Sequence, residues 1–496
     1  MKQRIPVMTL AAALALAAPL VSQPIPAGPE VAVEEQRQDA FETAIAATAD
    51  GGLLALWNTG HEILARALNP DGGARSPRAL VREDRLDEGT MSPAVAALAG
   101  GGSVAVWFST TSTDVNGTIF FHNALAFRLL DAAGQPAGPE TVVAEEVWTA
   151  AVAAVPSGGF VLAWVGEPGS PLVARRFDAH GAALGGDIQV ADFGRFASLA
   201  ALPDGGFVVA WSNANLSLPI PPASLGYRIF AADGTPRTPA ISFQTANLSD
   251  YGLWISADAT GRFVIAWIDE ISFNNRVRAR RFGAGGEPLG PEIAVTPGEQ
   301  AVERLVDGDV AMRSDGSFLV VWEKLSSNEI LARAYGADGN PQGEPFLVHS
   351  LPGPHRRPDV AVTSRGWLVA WTAGGRPYVR SFVAADCGGP YALCLNANRF
   401  RVEATWRIPG SGPQGLGTPV PRTSDTGAFW FFQPSNYELL VKVLDGRGVN
   451  GHFWVFYGSL TNVEFDLTVT DTLTGQQRRY HNPAGTMASQ ADTTAF

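Results

Sequence analysis

The chain has 496 residues, 46% of them hydrophobic and 17% charged, with a formal net charge of −12 and a sequence pI near 5.1. That balance excludes a disordered chain, and it argues against nucleic acid or an anionic membrane surface as partner, since both need clustered positive charge. Gly (54) and Pro (35) make the chain turn-rich, and two cysteines exclude both a disulfide-dense scaffold and a Cys-rich metal centre.

Residues 1–22 read as a secretory signal peptide: Met1-Lys2-Gln3-Arg4 is basic, 5–21 is apolar, and Ser22 is a small residue at the expected cleavage point. The alternative, a membrane anchor, is disfavoured by Pro6, Pro19 and the lack of a stop-transfer flank. No later run reaches the ~18 apolar residues a spanning helix needs, so no membrane span is expected. The mature chain is expected to be secreted, periplasmic or held at a cell surface. In such an oxidising compartment Cys387 and Cys394, separated by a loop-like stretch with Gly388-Gly389-Pro390, are expected to close a local disulfide.

From residue 52 onward a phrase recurs: Gly, then an alternating apolar run ending in Trp. Trp57, Trp107, Trp164, Trp211, Trp267, Trp322 and Trp371 close it, at a mean spacing of about 52 residues. After each Trp comes an Arg two positions before an aromatic or Leu: Arg66, Arg128, Arg175, Arg228, Arg280, Arg333 and Arg380. A Gly-led run such as 138–143 or 290–295 often follows, and an Ala/Val run such as 94–98 or 151–155 often precedes the Gly-Trp phrase. Each unit therefore holds about four short strands with period-two alternation, divided by Gly, Asp and Pro turns. Both faces of the Trp strand are apolar, so it must be covered on both sides. The predicted fold is all-β: a seven-bladed β-propeller over 28–385, rather than an open solenoid or two packed sandwiches.

The seventh unit runs out after three strands, before Cys387. The missing fourth has the pattern of Gly28-Pro29-Glu30-Val31-Ala32-Val33, which matches Gly290-Pro291-Glu292-Ile293-Ala294-Val295. The N-terminal strand is therefore expected to complete the last blade and remove both open edges.

The phrases 205–211, 173–181 and 185–190 resemble repeats of large exported bacterial proteins, including surface and adhesin-like chains. The resemblance implies export and a propeller-like repeat, and it is not tied to one activity. Residues 386–394 read as a linker. In 395–496 the period is lost, and six strand candidates (399–407, 428–432, 437–444, 452–457, 463–470 and 477–481) predict a C-terminal β-sandwich. This part resembles an uncharacterised C-terminal module of exported bacterial proteins, through 395–406, 424–432, 442–457 and 480–496.

No catalytic residue is assigned. An arginine repeated in every unit reads as structural, and the single-copy Tyr–Glu pair and acid of a sialidase are not marked. The seven histidines are scattered with no pair at metal-ligand spacing, so no metal or cofactor is expected, although Asp114-Val115-Asn116-Gly117-Thr118 has oxygen ligands suited to Ca²⁺. The links between second and third strands, and those between blades, vary in length and share one face. A binding site is expected there, with loop candidates Asp114, Asn116, Asp269, Glu270 and Glu323. The reading is a non-catalytic binding or interaction protein for an unknown protein or glycan ligand. A glycan-active hydrolase or lyase on the same face is the alternative. A unique carboxylate pair on the axis would favour the enzyme, and an axis of Ala and Val would favour binding.

Overall fold

The computed structural model describes residues 24–26, 29–36, 39–83, 88–115, 118–166, 170–212, 224–244, 248–271, 274–296, 304–364, 366–383, 391–396, 399–410, 412–423, 425–472 and 474–496. The signal-peptide and cleavage readings fall on residues outside that set, as does Cys387. Cys394 lies in a short strand, Leu393–Leu395.

The fold is all-β, and most of it is a succession of four-stranded antiparallel sheets whose strands follow chain order. The first consists of Glu42–Ala47, Leu53–Asn58, Ile63–Leu68 and Ala79–Arg82. Five more of the same design follow, with first strands Glu88–Ala97, Thr149–Ala154, Ala197–Ala201, Leu248–Ala257 and Leu305–Met312. The seventh has three strands of its own, His355–Val362, Gly366–Ala373 and Arg376–Val383. Its outer positions are filled by Ile25–Pro26 and Val31–Ala32, both paired with Arg376–Val383. Contacts between first strands run in cyclic order, each sheet to the next and the seventh back to the first.

The apolar pattern explains that order. Second strands such as Phe160–Val165 and Phe207–Ser212 are buried along their whole length, because their sheets are covered on both faces. Each cluster of core residues is shared by two neighbouring sheets. The one joining seventh to first packs Ala361, Leu368, Ala370 and Val379 against Ile45, Leu53, Ala55 and Trp57.

Polar bonds repeat the same step. Arg128 donates Nε to Gly138 O of its own sheet and Nη1 to Val81 O of the preceding one, both at 2.7 Å. Arg228, Arg333 and Arg380 reach Val190 O, Val295 O and Val348 O in the same way. Arg66 reaches Val33 O at 2.7 Å, across the seam to the N-terminal segment. Arg280 instead stacks over Phe243 of the preceding sheet. Arg175 departs from the expected uniformity, bonding Asp187 and stacking over Trp164 within its own sheet. Turns from third to fourth strand also press on the preceding sheet. At Gly72 (φ +91°) a Cβ would sit 2.7 Å from Val379 Cγ2 of the seventh sheet, so both conformation and contact require glycine.

Two of the links read as loops are strands. Phe108 to Val115 and Thr118 to Asn123 continue the second sheet as a long hairpin, and Asp269↔Arg276 and Glu270↔Asn275 are paired in the fifth. Alternating polar residues beyond the apolar core still satisfy an antiparallel ladder, and that pattern is what a loop reading misses.

Beyond residue 391 two five-stranded sheets enclose a separate core that includes Phe400, Val402, Phe429, Val441, Val455, Phe465 and Val469. The six sequence candidates coincide with its longer strands. Strand Leu439–Gly446 is followed by one helical turn, Arg447–Asn450. Phe453, Val455 and Tyr457 face this core.

Two outcomes are expected. Removing residues 24–36 opens the edge of the seventh sheet and strips Arg66 of its Val33 acceptor, so the melting temperature should fall; an unchanged value contradicts this seam. Arg333→Ala removes two charge-assisted bonds at a buried site and should cost about 2–3 kcal/mol by denaturant unfolding. A loss within the scatter of surface substitutions would show that the cross-sheet bond is idle.

Candidate functional site

The first strand of every sheet is an edge strand, and these edges line a cavity of about 1140 Å³. The lining comes from the chain-entry half of each first strand, where the inter-sheet links arrive. This is the face on which the sequence reading places variable loops.

The wall is not uniform. The position of each first strand that lies opposite the residue before the repeated Trp holds Ala44, Ala94, Ala151, Ser198, Trp254, Asp309 and Asp359 in turn. Alanines make part of the wall small and apolar, as the repeat predicts. On the sixth and seventh sheets it is acidic. Asp359 accepts from Ile45 N (2.8 Å) and Asp309 from Val360 N (3.0 Å), so each carboxyl ties its own sheet to the first strand of the next. Ser198 does the same for Ile255 N at 3.2 Å.

Asp309 and Asp359 are hydrogen-bonded to one another. Burial pushes both carboxyls up, Asp309 the further, because Asp359's charge and its acceptor oxygen hold a proton on Asp309. The pair therefore shares one proton. Asp307 is pushed up to about 7, first by burial and then by the charges of Glu323 and Asp359, against a bond from Gly308 N. Its register partner across the strand pair is Glu323.

Glu323 is buried and fully engaged. It accepts from Arg356 Nη1 at 2.6 Å and Arg357 N at 2.9 Å. Glu42 takes Arg357 Nη1 on one oxygen and Ser92 N on the other. Arg357 and Ser92 each precede a proline, and both adopt positive φ (53° and 52°). Glu42 thus braces two irregular first strands, one on each side of its own. Across the axis the third sheet presents Trp148, half exposed at 50%, and the fourth presents Phe196.

Of the five loop candidates, Glu323 lines this cavity. Asp269 does not: it is a buried strand residue facing Arg278 at 3.5 Å, a correction to its reading as a loop ligand. The side chains of Asp114 and Glu270, and all of Asn116, fall outside the described residues, so the Ca²⁺ reading does too. Among the described residues there is no group of three or more His, Cys, Asp or Glu suited to a metal ion, and no helix long and apolar enough to cross a membrane. Asp307, Asp309, Asp359 and the Arg356-Arg357 pair were missed. The signal was available for Asp309 and Asp359, since the repeated Ala/Val phrase begins one residue after each of them.

No protein-family model and no curated protein matches the chain. Solved structures resemble it weakly. A protein of unknown function from Dyadobacter fermentans is 10% identical, with a TM-score of 0.45 over 72% of this chain and 98% of that one. The Dos1 propeller is 9% identical (TM-score 0.41, 72% and 95% covered). An ulvan lyase is 11% identical (TM-score 0.43, 72% and 94% covered).

Asp307 gives a pH test. Its folded-state pKa lies above that of the unfolded chain, so the folded form holds the extra proton, and stability falls as pH rises through about 7. Asp307→Asn should therefore melt higher than the native chain at pH 8 and match it at pH 4. A lower melting point at pH 8 would mean that the ionised carboxylate is the stabilising form.

Proposed function

We propose that the chain is an exported, non-catalytic binding protein: a closed seven-bladed β-propeller carrying a C-terminal β-sandwich, with a polyhydroxylated ligand, a glycan or surface polymer, seated at the mouth of the axial cavity. The closed ring is supported by the cyclic contacts of first strands and by the core shared between seventh and first sheets. A disulfide between Cys387 and Cys394 at the exit from the ring belongs to the same proposal.

The observation that carries the ligand reading is the pairing of two chemistries across one mouth. Trp148 and Phe196 offer stacking faces on one side; the Glu42 carboxylate and the guanidinium groups of Arg356 and Arg357 stand on the other. A sugar ring has an apolar face for the first and hydroxyls that both donate and accept for the second.

The axial carboxylates favour binding over hydrolysis. Retaining and inverting glycosidases separate their carboxyls by about 5–5.5 Å and 6.5–9.5 Å. The carboxyls of Asp309 and Asp359 interact directly and both accept backbone N–H groups, which leaves neither free to attack a sugar or activate a water. One observation keeps a glycan hydrolase or lyase as second reading: Asp307, raised to about 7 beside Glu323, has the poise of a general acid.

An array of glycans and bacterial surface polymers, probed with the full mature chain, tests the proposal. A bound polymer whose signal drops at least about tenfold in Trp148→Ala, with the polymer recovered intact, supports it; ~1.4 kcal/mol of stacking corresponds to that loss. Binding unaffected by Trp148→Ala contradicts the site. Polymer cleavage abolished by Asp307→Asn replaces the binding reading with the enzyme.

A further inference from the structure

His349 and His355, six residues apart in sequence, are brought face to face where the sixth sheet passes into the seventh. Their ring centroids are 3.5 Å apart at 18°, and both residues are more than nine-tenths buried. Each ring donates to the same carbonyl, Leu351 O: Nδ1 of His349 at 3.2 Å and Nε2 of His355 at 2.8 Å. Those bonds fix the tautomers, so His349 Nε2 and His355 Nδ1 carry lone pairs, and neither has a partner. The same short turn is gripped from the other side by the N-terminal segment. Glu30 accepts from Ser350 N, from Ser350 Oγ at 2.7 Å and from Leu351 N at 3.3 Å, and it lies 3.8 Å from Arg380.

We propose that this seam is a pH-sensitive clasp: the neutral histidine pair shapes the turn that Glu30 holds, and protonation of the pair releases the N-terminal strand from the seventh sheet. A second proton on either ring would turn an unpartnered acceptor into an unpartnered buried donor, and protonating both would place like charges 3.5 Å apart. Burial already holds both imidazoles below their ordinary range, and the neighbouring ring lowers His355 further. Glu30 faces both rings, and Glu329 and Arg380 face His349: the carboxylates favour the proton, Arg380 opposes it, and burial outweighs them. Once the N-terminal strand leaves and the turn opens to water, each histidine regains the ordinary value near 6.5. The open form therefore binds more protons below that value, and opening gains as pH falls. The carboxyls of the axial wall act in the opposite sense, since acid suits their protonated folded form, so the release is local to the seam.

Limited proteolysis of the full chain reads it, with cleavage sites mapped by mass spectrometry and rates divided by those of a free peptide of the same sequence. Cleavage within residues 24–36 should accelerate about tenfold from pH 7.5 to pH 5. In His349→Phe/His355→Phe, which keeps two stacked buried rings, the acceleration should vanish; His355→Phe alone, the milder change, should reduce it. An unchanged rate in the native chain, the same acceleration in both variants, or simultaneous cleavage throughout the sheets would each overturn the clasp.

Discussion

A sheet with two apolar faces cannot stand alone, and this constraint organises most of the molecule. Trp57, Trp107, Trp267, Trp322 and Trp371 are completely buried, or nearly so, because a neighbouring sheet lies on each side of the strand that bears them. Any linear stack would leave two such faces in water. Cyclic contact leaves none, and it accounts for the N-terminal segment's place on the far end of the chain's sheets. The arginines follow from the same constraint. A guanidinium bridging two sheets satisfies carbonyls on outer strands that have no further neighbour, and its geometry serves the same purpose at Arg128, Arg228, Arg333 and Arg380.

Chemistry enters where the repeat is broken. Seven copies of one residue build a scaffold; one or two copies at an equivalent position build a local environment. Asp309 and Asp359 stand where three other sheets carry alanine, and the cost of their burial is met by a shared proton and by N–H groups of the next sheet. Arg357 and Ser92 interrupt their strands beside them, with Glu42 holding both. The resulting mouth is chemically one-sided, with rings on one bank and ionisable groups on the other. A ligand that satisfies both must itself have two characters.

Much of the fold was legible in the sequence because period-two alternation and a phrase that returns about every 52 residues are backbone-level signals. Gly28-Pro29-Glu30 announced its partner by matching other outer strands. The hairpin around Asp269 and Glu270 was not legible, since a strand that leaves the core loses its apolar alternation and looks like a loop. The acidic wall was hidden for a different reason: the eye aligns a repeat on its conserved residues, and Asp309 and Asp359 sit just outside that phrase. His349 and His355 lay beyond any spacing rule, because a turn between two sheets, and not a helix or strand period, sets them ring to ring. Glu30 showed the same blindness, read as part of a strand motif while its carboxylate holds a turn more than three hundred residues away.

Hydrogen–deuterium exchange of the backbone amides at Val31, Ala32 and Val33 in the full chain at neutral pH tests the central claim, that the N-terminal strand closes the last sheet. Val33 N donates to Pro377 O at 2.9 Å, and Val31 and Ala32 lie in register with Val379 and Tyr378. A closed ring predicts protection of this segment comparable to that of the strand Arg376–Val383 on which it lies. Exchange at the rate of a free peptide, with Arg376–Val383 still protected, would contradict closure.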